Sequence, residues 1–232
     1  NPEGNKVMSE TMSMIRPSAI AQFSDNGVTR LLPISEREVN RTIAFFRRVL
    51  ASDWNLRGRF ALILGTQADA YFLAAFERAL QERGVTVCNS EANSWDGART
   101  EATIRRFDVA IVAVVTPIVL DAIRNAGHDA KTLFQGKIVW AQGDAYDALE
   151  GTEGIDLRRW IPLGPAFAIE GRHRGGAHYD GREWLIETHG DTTYVTSRLD
   201  RAMAFDRLPV ALTAQINTDP CPGGALGPRI VL

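Results

Sequence analysis

The residue types able to bind or react sit mostly where an apolar run gives way to small or polar residues. There are four such places: Gly65-Thr66-Gln67, Val115-Thr116-Pro117, Ala141-Gln142-Gly143-Asp144 and Leu163-Gly164-Pro165. Hydroxyls and amides at strand tips can orient a small ligand, and glycine lets backbone approach it closely. Thr66, Gln67, Thr116, Gln142, Gly143 and Gly164 are therefore the expected binding residues. Tight strand-to-helix turns favour the same residue types, so spacing alone leaves both readings open. Asp144 can serve as an acid or base at such a tip, or cap the short helix that follows. His178 is the second acid–base candidate. Cys88 stands at a strand end with no His or acid placed beside it, the pattern of a buried, inert thiol. Gly65-x-x-Ala68 lacks the G-x-G-x-x-G spacing that lets a pyrophosphate approach a helix start, so no dinucleotide site is read here.

These tips need elements to hold them. Ser35 followed by Glu38 is a capping box, and it opens a helix over about 35–51 with Val39, Ile43, Phe46 and Leu50 at helical spacing. The run 59–64 ends at Gly65 as a buried strand, and 68–83 is a helix stopped by Gly84. Val85 to Cys88 is the next strand. Strand, helix and strand in that order form the unit of a parallel sheet. The pattern repeats with a helix over 96–107, a strand over 109–115, a helix over 117–126, a strand over 137–141, a short helix near 146–149 and a strand over 160–163. Beyond Gly164 the texture changes. Glycines cluster over 171–181, and β-rich runs over 184–188 and 193–199 flank His189-Gly190-Asp191-Thr192 as a hairpin. One further strand is expected over 210–216. The expected fold is α/β: a mostly parallel sheet flanked by helices, followed by a smaller β-rich cap with a hairpin. The expected organisation is a loose arm over 1–20, a body over 21–167 and a cap over 168–232.

Composition narrows the function classes. Hydrophobic residues make up 45% and charged residues 23%, which suits a packed globular chain and excludes wholesale disorder. The net charge of -2 lacks the basic footprint of a nucleic-acid binder. The longest apolar run, between Asp108 and Asp121, is interrupted by Thr116 and Pro117 and is too short to span a bilayer. Two cysteines form no disulfide framework, and a cytoplasmic location is expected.

Several segments, in order, resemble the adenylate-forming (AMP-binding) ligase superfamily, in particular its phenylacetate–CoA ligase-like branch. Ser24-Asp25-Asn26-Gly27-Val28-Thr29 resembles the S-S-G-T-T-G phosphate loop. Gly176-Ala177-His178-Tyr179 with Trp184-Leu185-Ile186-Glu187 is similar to the G-x-H segment and the strand after it. Val195-Thr196-Ser197-Arg198-Leu199 with Arg201-Ala202-Met203 and Arg207 resembles T-x-L-x-x-R-x-M-P-x-x-R. Cys221-Pro222-Gly223-Gly224 to Pro228-Arg229-Ile230 is close to C-x-C-G-x-x-x-P-R-I. The resemblance covers roughly 22–230 and implies the N-terminal part of such a ligase.

The departures fall where the resemblance places the nucleotide chemistry. Ser24, Gly27 and Thr29 are kept in the loop, but Asp25 and Asn26 replace a Ser and a Gly. An Asp beside a triphosphate is repulsive. The family's Mg²⁺-binding Glu falls on Phe167, and its ribose-binding carboxylate falls on Leu212. The domain that brings a catalytic lysine has no counterpart in these residues. Zinc-binding members use Cys and His near the last segments. His178 and Cys221 stand at similar places, but Gly223 takes the second Cys position, and two ligands do not close a zinc site.

The expected function is that of a ligase-like protein that has lost ATP-dependent activation and binds a small acid, an acyl or aryl group, or a thioester as a binding or partner subunit. The alternatives are an enzyme using the same pocket for thioester hydrolysis or a non-redox conversion, and a half-ligase completed by a second chain. No cofactor or metal is expected; ATP, Mg²⁺ and CoA enter only under the half-ligase reading. A homodimer or a ligase-like partner is expected, because one face of the 184–199 hairpin would lack cover from this chain. Neither nucleic acid nor membrane is expected as a partner.

Overall fold

The structure is a computed structural model that describes residues 15–25, 27–53, 55–66, 69–224 and 227–232. Asn26, Gln67, the side chain of Asp25 and most of the expected arm lie outside the described residues.

The capping box of the sequence is formed. Ser35 Oγ accepts from the Glu38 N–H, and the Glu38 carboxylate accepts from the Ser35 N–H at 2.9 Å. It starts helix α1 (Glu36–Val49), with acidic residues in the first turn and arginines in the last, as the helix dipole favours. The parallel body follows as β3 (Phe60–Gly65), α2 (Ala70–Glu82), β4 (Thr86–Glu91), α3 (Gly97–Arg106), β5 (Ile111–Val115), α4 (Pro117–Asn125), α5 (Ala130–Leu133), β6 (Ile138–Ala141), α6 (Asp144–Leu149) and β7 (Asp156–Leu163). The sheet then turns antiparallel through β8 (Ala166–Ile169), β9 (Ala177–His178), β13 (Gln215–Asn217) and β14 (Arg229–Val231). Its order is β13-β14-β9-β8-β7-β6-β5-β3-β4. β8 spans residue 168, so the sheet runs without a break across the position where body and cap were expected to part.

The central strands are apolar on both faces because both faces are covered. Ala61, Ile63, Ile111 and Ala113 join α1 and α2 in one core. Leu62, Leu64, Val112 and Val115 join α3, α4 and α6 in the other. The first core is aromatic. Phe46 lies 4.9 Å from Phe167 and 5.8 Å from Trp160, ring centre to ring centre, and Phe72 lies 4.5 Å from Phe167. Gly97 lets α3 lie against α4: a Cβ there would stand 1.9 Å from the Ala122 carbonyl oxygen.

Two smaller sheets flank this body. A hairpin of β1 (Ala19–Asp25) and β2 (Val28–Ile34) occupies the stretch read as the end of an arm and a loop. Asp25 pairs with Val28, which closes the strands tightly on each other, and Asn-Gly between two such runs is the usual sequence signal for a hairpin. The second sheet orders β10 (Trp184–His189), β11 (Thr192–Ser197) and β12 (Leu208–Val210). The single strand expected over 210–216 is two. β12 belongs to this sheet and β13 to the large one, and the chain switches at 211–214, where the Leu212 N–H bonds the Val210 carbonyl at 2.8 Å. The apolar face of the β10–β11 hairpin, with Trp184, Ile186 and Val195, is buried in a third core built by this chain itself. Its other face is half-buried, with Tyr194 lying 4.6 Å beneath the Arg207 guanidinium.

A buried ionic cluster ties the second hairpin to α1. Arg201 is 4% exposed and lies 2.9 Å from both Glu38 Oε1 and Glu183 Oε2. Its guanidinium stands 3.9 Å above the Trp184 ring, while Arg41 pairs with the other oxygen of Glu183.

Candidate functional site

In open sheets of this kind ligands bind beyond the carboxyl ends of the strands, and a cleft of about 650 Å³ opens there. Thr66 follows β3, Thr116 follows β5, Gln142 follows β6 and Gly164 follows β7; all four line it. The β1–β2 hairpin closes one side with Gln22, Ser24 and Gly27. The segment from Leu208 to Leu212 closes another, and Phe72, Trp160, Pro162 and Phe167 make an apolar wall.

Four of the six expected binding residues thus face one cavity. Gln67 lies outside the described residues. Gly143 does not line the cleft: it stands exposed with φ +53° at the start of α6, a left-handed conformation suited to glycine. Asp144 is the exposed first residue of α6 and points to no described part of the cleft lining. His178 is buried on β9, paired in register with Arg229, also away from the cleft. Burial, together with the Arg229 charge, pushes its imidazole down to about 4, so it is neutral at pH 7. Of the loop residues, Ser24 and Gly27 line the cleft and Thr29 does not.

The polar end of the cleft is specific in its chemistry. The Thr66 hydroxyl donates to Asp69 Oδ2 at 2.8 Å, and burial pushes the Asp69 carboxyl above its ordinary range. Thr116 caps α4, its hydroxyl oxygen accepting from the Val119 N–H. Gln142 is held by its backbone N–H on the Val115 carbonyl at 3.1 Å, while its side-chain Oε1 is buried without a partner. Asp69 is a site residue that sequence reading missed. The local pattern of Thr66 three residues before Asp69, just ahead of a helix, was the available signal. The segment 208–212 reaches the cleft only through tertiary folding and carries no local mark.

Phe167 and Leu212, where the resemblance places a magnesium-holding Glu and a ribose-binding carboxylate, both line this cleft. Neither side chain can coordinate a cation or hydrogen-bond a sugar, so the residues present do not fit Mg²⁺–ATP bound in that manner. The zinc arrangement does not fit either. No group of three His, Cys, Asp or Glu suited to a metal occurs among the described residues, and a Cβ at Gly223 would stand 2.2 Å from the His173 ring. Cys88 donates weakly to the Ala61 carbonyl, and burial raises its thiol pKa, the reverse of an activated nucleophile.

No protein-family model matches the chain, and no curated protein does. Solved structures do. 2-Hydroxyisobutyryl-CoA ligase in complex with 2-HIB-AMP and CoA, in an open conformation, is 12% identical with a TM-score of 0.64, over 93% of this chain and 56% of that one. The same ligase in the thioesterification state gives 0.62 at 11% identity, over 93% and 51%. The N-terminal subdomain of Klebsiella oxytoca NpsA, in complex with 3-hydroxyanthranilyl-AMSN, gives 0.53 at 13% identity, over 94% and 59%. At such identities the likeness shows the fold alone, that of the N-terminal part of acid-CoA ligases and adenylation domains. The chain spans between half and three-fifths of the length of these structures. No helix among the described residues is long and apolar enough to cross a membrane.

Proposed function

We propose that this chain is a ligase-like binding protein that holds an acyl or aryl group, as an acid derivative or a thioester, in the cleft at its strand tips and does not activate it with ATP. One observation carries the reading: Phe167 and Leu212, the two residues to which the resemblance assigns nucleotide-holding carboxylates, both line that cleft. Phe167 is also locked by ring contacts to Phe46, Phe72 and Trp160, so its place is one of core packing as well as lining. The apolar wall suits a hydrocarbon or aromatic group, and the cavity size is that of a small-molecule site. The position of Asp144 and His178 away from the cleft supports binding over a reading in which they act there as acid and base. A partner, either a second copy or a ligase-like chain, belongs to the same proposal. Ile20 and Leu31, exposed on the outer face of the β1–β2 hairpin, offer it apolar contact beside the cleft.

Calorimetry with Mg²⁺–ATP and a pyrophosphate-release assay with a panel of carboxylic acids test this directly. The expected result is no heat of binding at micromolar nucleotide and no pyrophosphate. Micromolar ATP affinity, or pyrophosphate release with any acid, would overturn it.

A further inference from the structure

Among the described residues that line the cleft there is one charged side chain, Asp69, and no Arg, Lys or His. A pocket built to receive a free carboxylate needs the reverse, a cation or several free N–H donors. Asp69 forms no ion pair among the described residues; the one hydrogen-bond partner of its carboxylate there is the Thr66 hydroxyl. Burial has already raised its pKa, which marks a carboxylate short of stabilising contacts.

Gln142 also lines this cavity. Gln142 Oε1 is buried and has no partner. Asp69 follows β3 and Gln142 follows β6, with β5 and its tip residue Thr116 between them. At a strand spacing of about 4.8 Å, β3 and β6 stand on the order of 10 Å apart with β5 between them. A carboxylate with a single hydroxyl donor is short of partners, which favours a ligand that brings N–H donors and positive charge. Helices α2 and α4 begin at this edge, and their dipoles contribute at most about half a positive charge each. Asp69 opposes the first with a full negative charge, and Thr116 already occupies one of the N–H groups of the second. The rings of Phe72, Trp160 and Phe167 in the wall present faces that attract a cation and gain nothing from an anion.

We propose that Asp69 is the specificity-determining residue of this cleft and that it selects an aryl or acyl group carrying an amino group, as the ammonium ion, over a free carboxylate. This rests on the reading of the cleft as an acyl- or aryl-binding site, and it narrows that reading to one charge class. Asp69 supplies the counter-charge, and the apolar wall takes the hydrocarbon.

Three probes of one shape test it: 2-phenylethylammonium, phenylacetamide and phenylacetate, titrated by calorimetry into the chain and into Asp69→Asn. The asparagine keeps an oxygen for the Thr66 hydroxyl and removes only the charge. The ammonium should bind at least about tenfold more tightly than the carboxylate, and Asp69→Asn should weaken it by at least about tenfold while shifting the neutral amide by less than about threefold. If the variant does not fold, the ranking of the three probes on the unaltered chain decides the matter. Phenylacetate binding as tightly as the ammonium, or an ammonium affinity that Asp69→Asn leaves unchanged, overturns the role of Asp69 and leaves the cleft as a binding site. Failure of all three probes to bind overturns both this proposal and the ligand-binding reading beneath it.

Discussion

Replacing Arg201 by Met should be among the most damaging single changes in the molecule, and its cost should depend on pH. The guanidinium lies 2.9 Å from Glu38 Oε1 and from Glu183 Oε2, with both acids almost wholly buried. Methionine fills much of the volume over Trp184 but leaves two carboxylates facing an apolar group. Breaking a buried pair by removing one partner costs about 3–5 kcal/mol. Arg41 still pairs with Glu183, and Glu38 Oε2 keeps the Ser35 and Ala202 N–H groups, so the lower end, about 3 kcal/mol, is expected. For a chain of this length that corresponds to a fall in Tm of roughly 6–12 °C. Burial already pushes the Glu183 carboxyl up and Arg201 holds it down, so losing Arg201 raises it further. A carboxyl whose folded pKa lies above its unfolded one favours the native state only when protonated. The deficit should therefore be largest at pH 7 and shrink as the pH falls toward about 5. Urea unfolding of both proteins at the two pH values measures this. A loss below about 1 kcal/mol at pH 7, or a deficit that grows on acidification, would refute the account of the cluster.

Two further expectations concern glycine and histidine. Gly97→Ala puts a methyl on the first residue of α3, where alanine is otherwise a favourable helix former. Here the new methyl would meet the Ala122 carbonyl oxygen at 1.9 Å, so α3 and α4 must separate and thermal unfolding should show a net loss; an unchanged or higher Tm would mean the helices part at no cost. His178, pushed from 6.5 to about 4, binds its proton more readily in the unfolded chain, so it favours folding above the unfolded value and that contribution is lost as the pH falls from 6.5 toward 4. His178→Gln should lose less stability than the parent over that window, and an NMR titration of the parent ring with a midpoint near 6.5 would contradict the assignment.

The parallel body was legible because its signals are local. Ser35 and Glu38 mark the start of α1, Gly84 marks the end of α2 and Pro117 opens α4, and each lies within a few positions of the boundary seen. The strand tips could be placed on one edge because successive parallel strands all end on the same side, which is how Thr66, Thr116, Gln142 and Gly164 come to share a cleft. What escaped depends on distant pairing. The short strands β9 and β14 pair with each other across a long stretch of sequence, and the three residues of β14 or of β12 carry no usable periodicity. Asn26-Gly27 carried a turn signal, but the flanking Ser24 and Asp25 fitted the pattern of a loop instead. The wall from 208 to 212 could not be read at all, since nothing in Leu-Pro-Val-Ala-Leu says what it will face.

The position of β14 has a consequence for how the molecule assembles. It lies between β13 and β9, and Arg229 pairs with His178 across a long stretch of sequence. The parallel half closes through short crossovers, so each strand meets a neighbour soon after it is made. β9 has β8 on one side but must wait for residues 229–231 on the other, with the whole second hairpin passing by in between. Closing that distant contact bears a loop-entropy cost before any packing repays it, which makes it a natural rate-limiting event. Until it happens, β9 presents an open strand edge over a partly formed apolar core, the arrangement most prone to pairing with another chain. The seam between β9 and β14, remote from the cleft, is thus where dilution or a chaperone should help most during refolding.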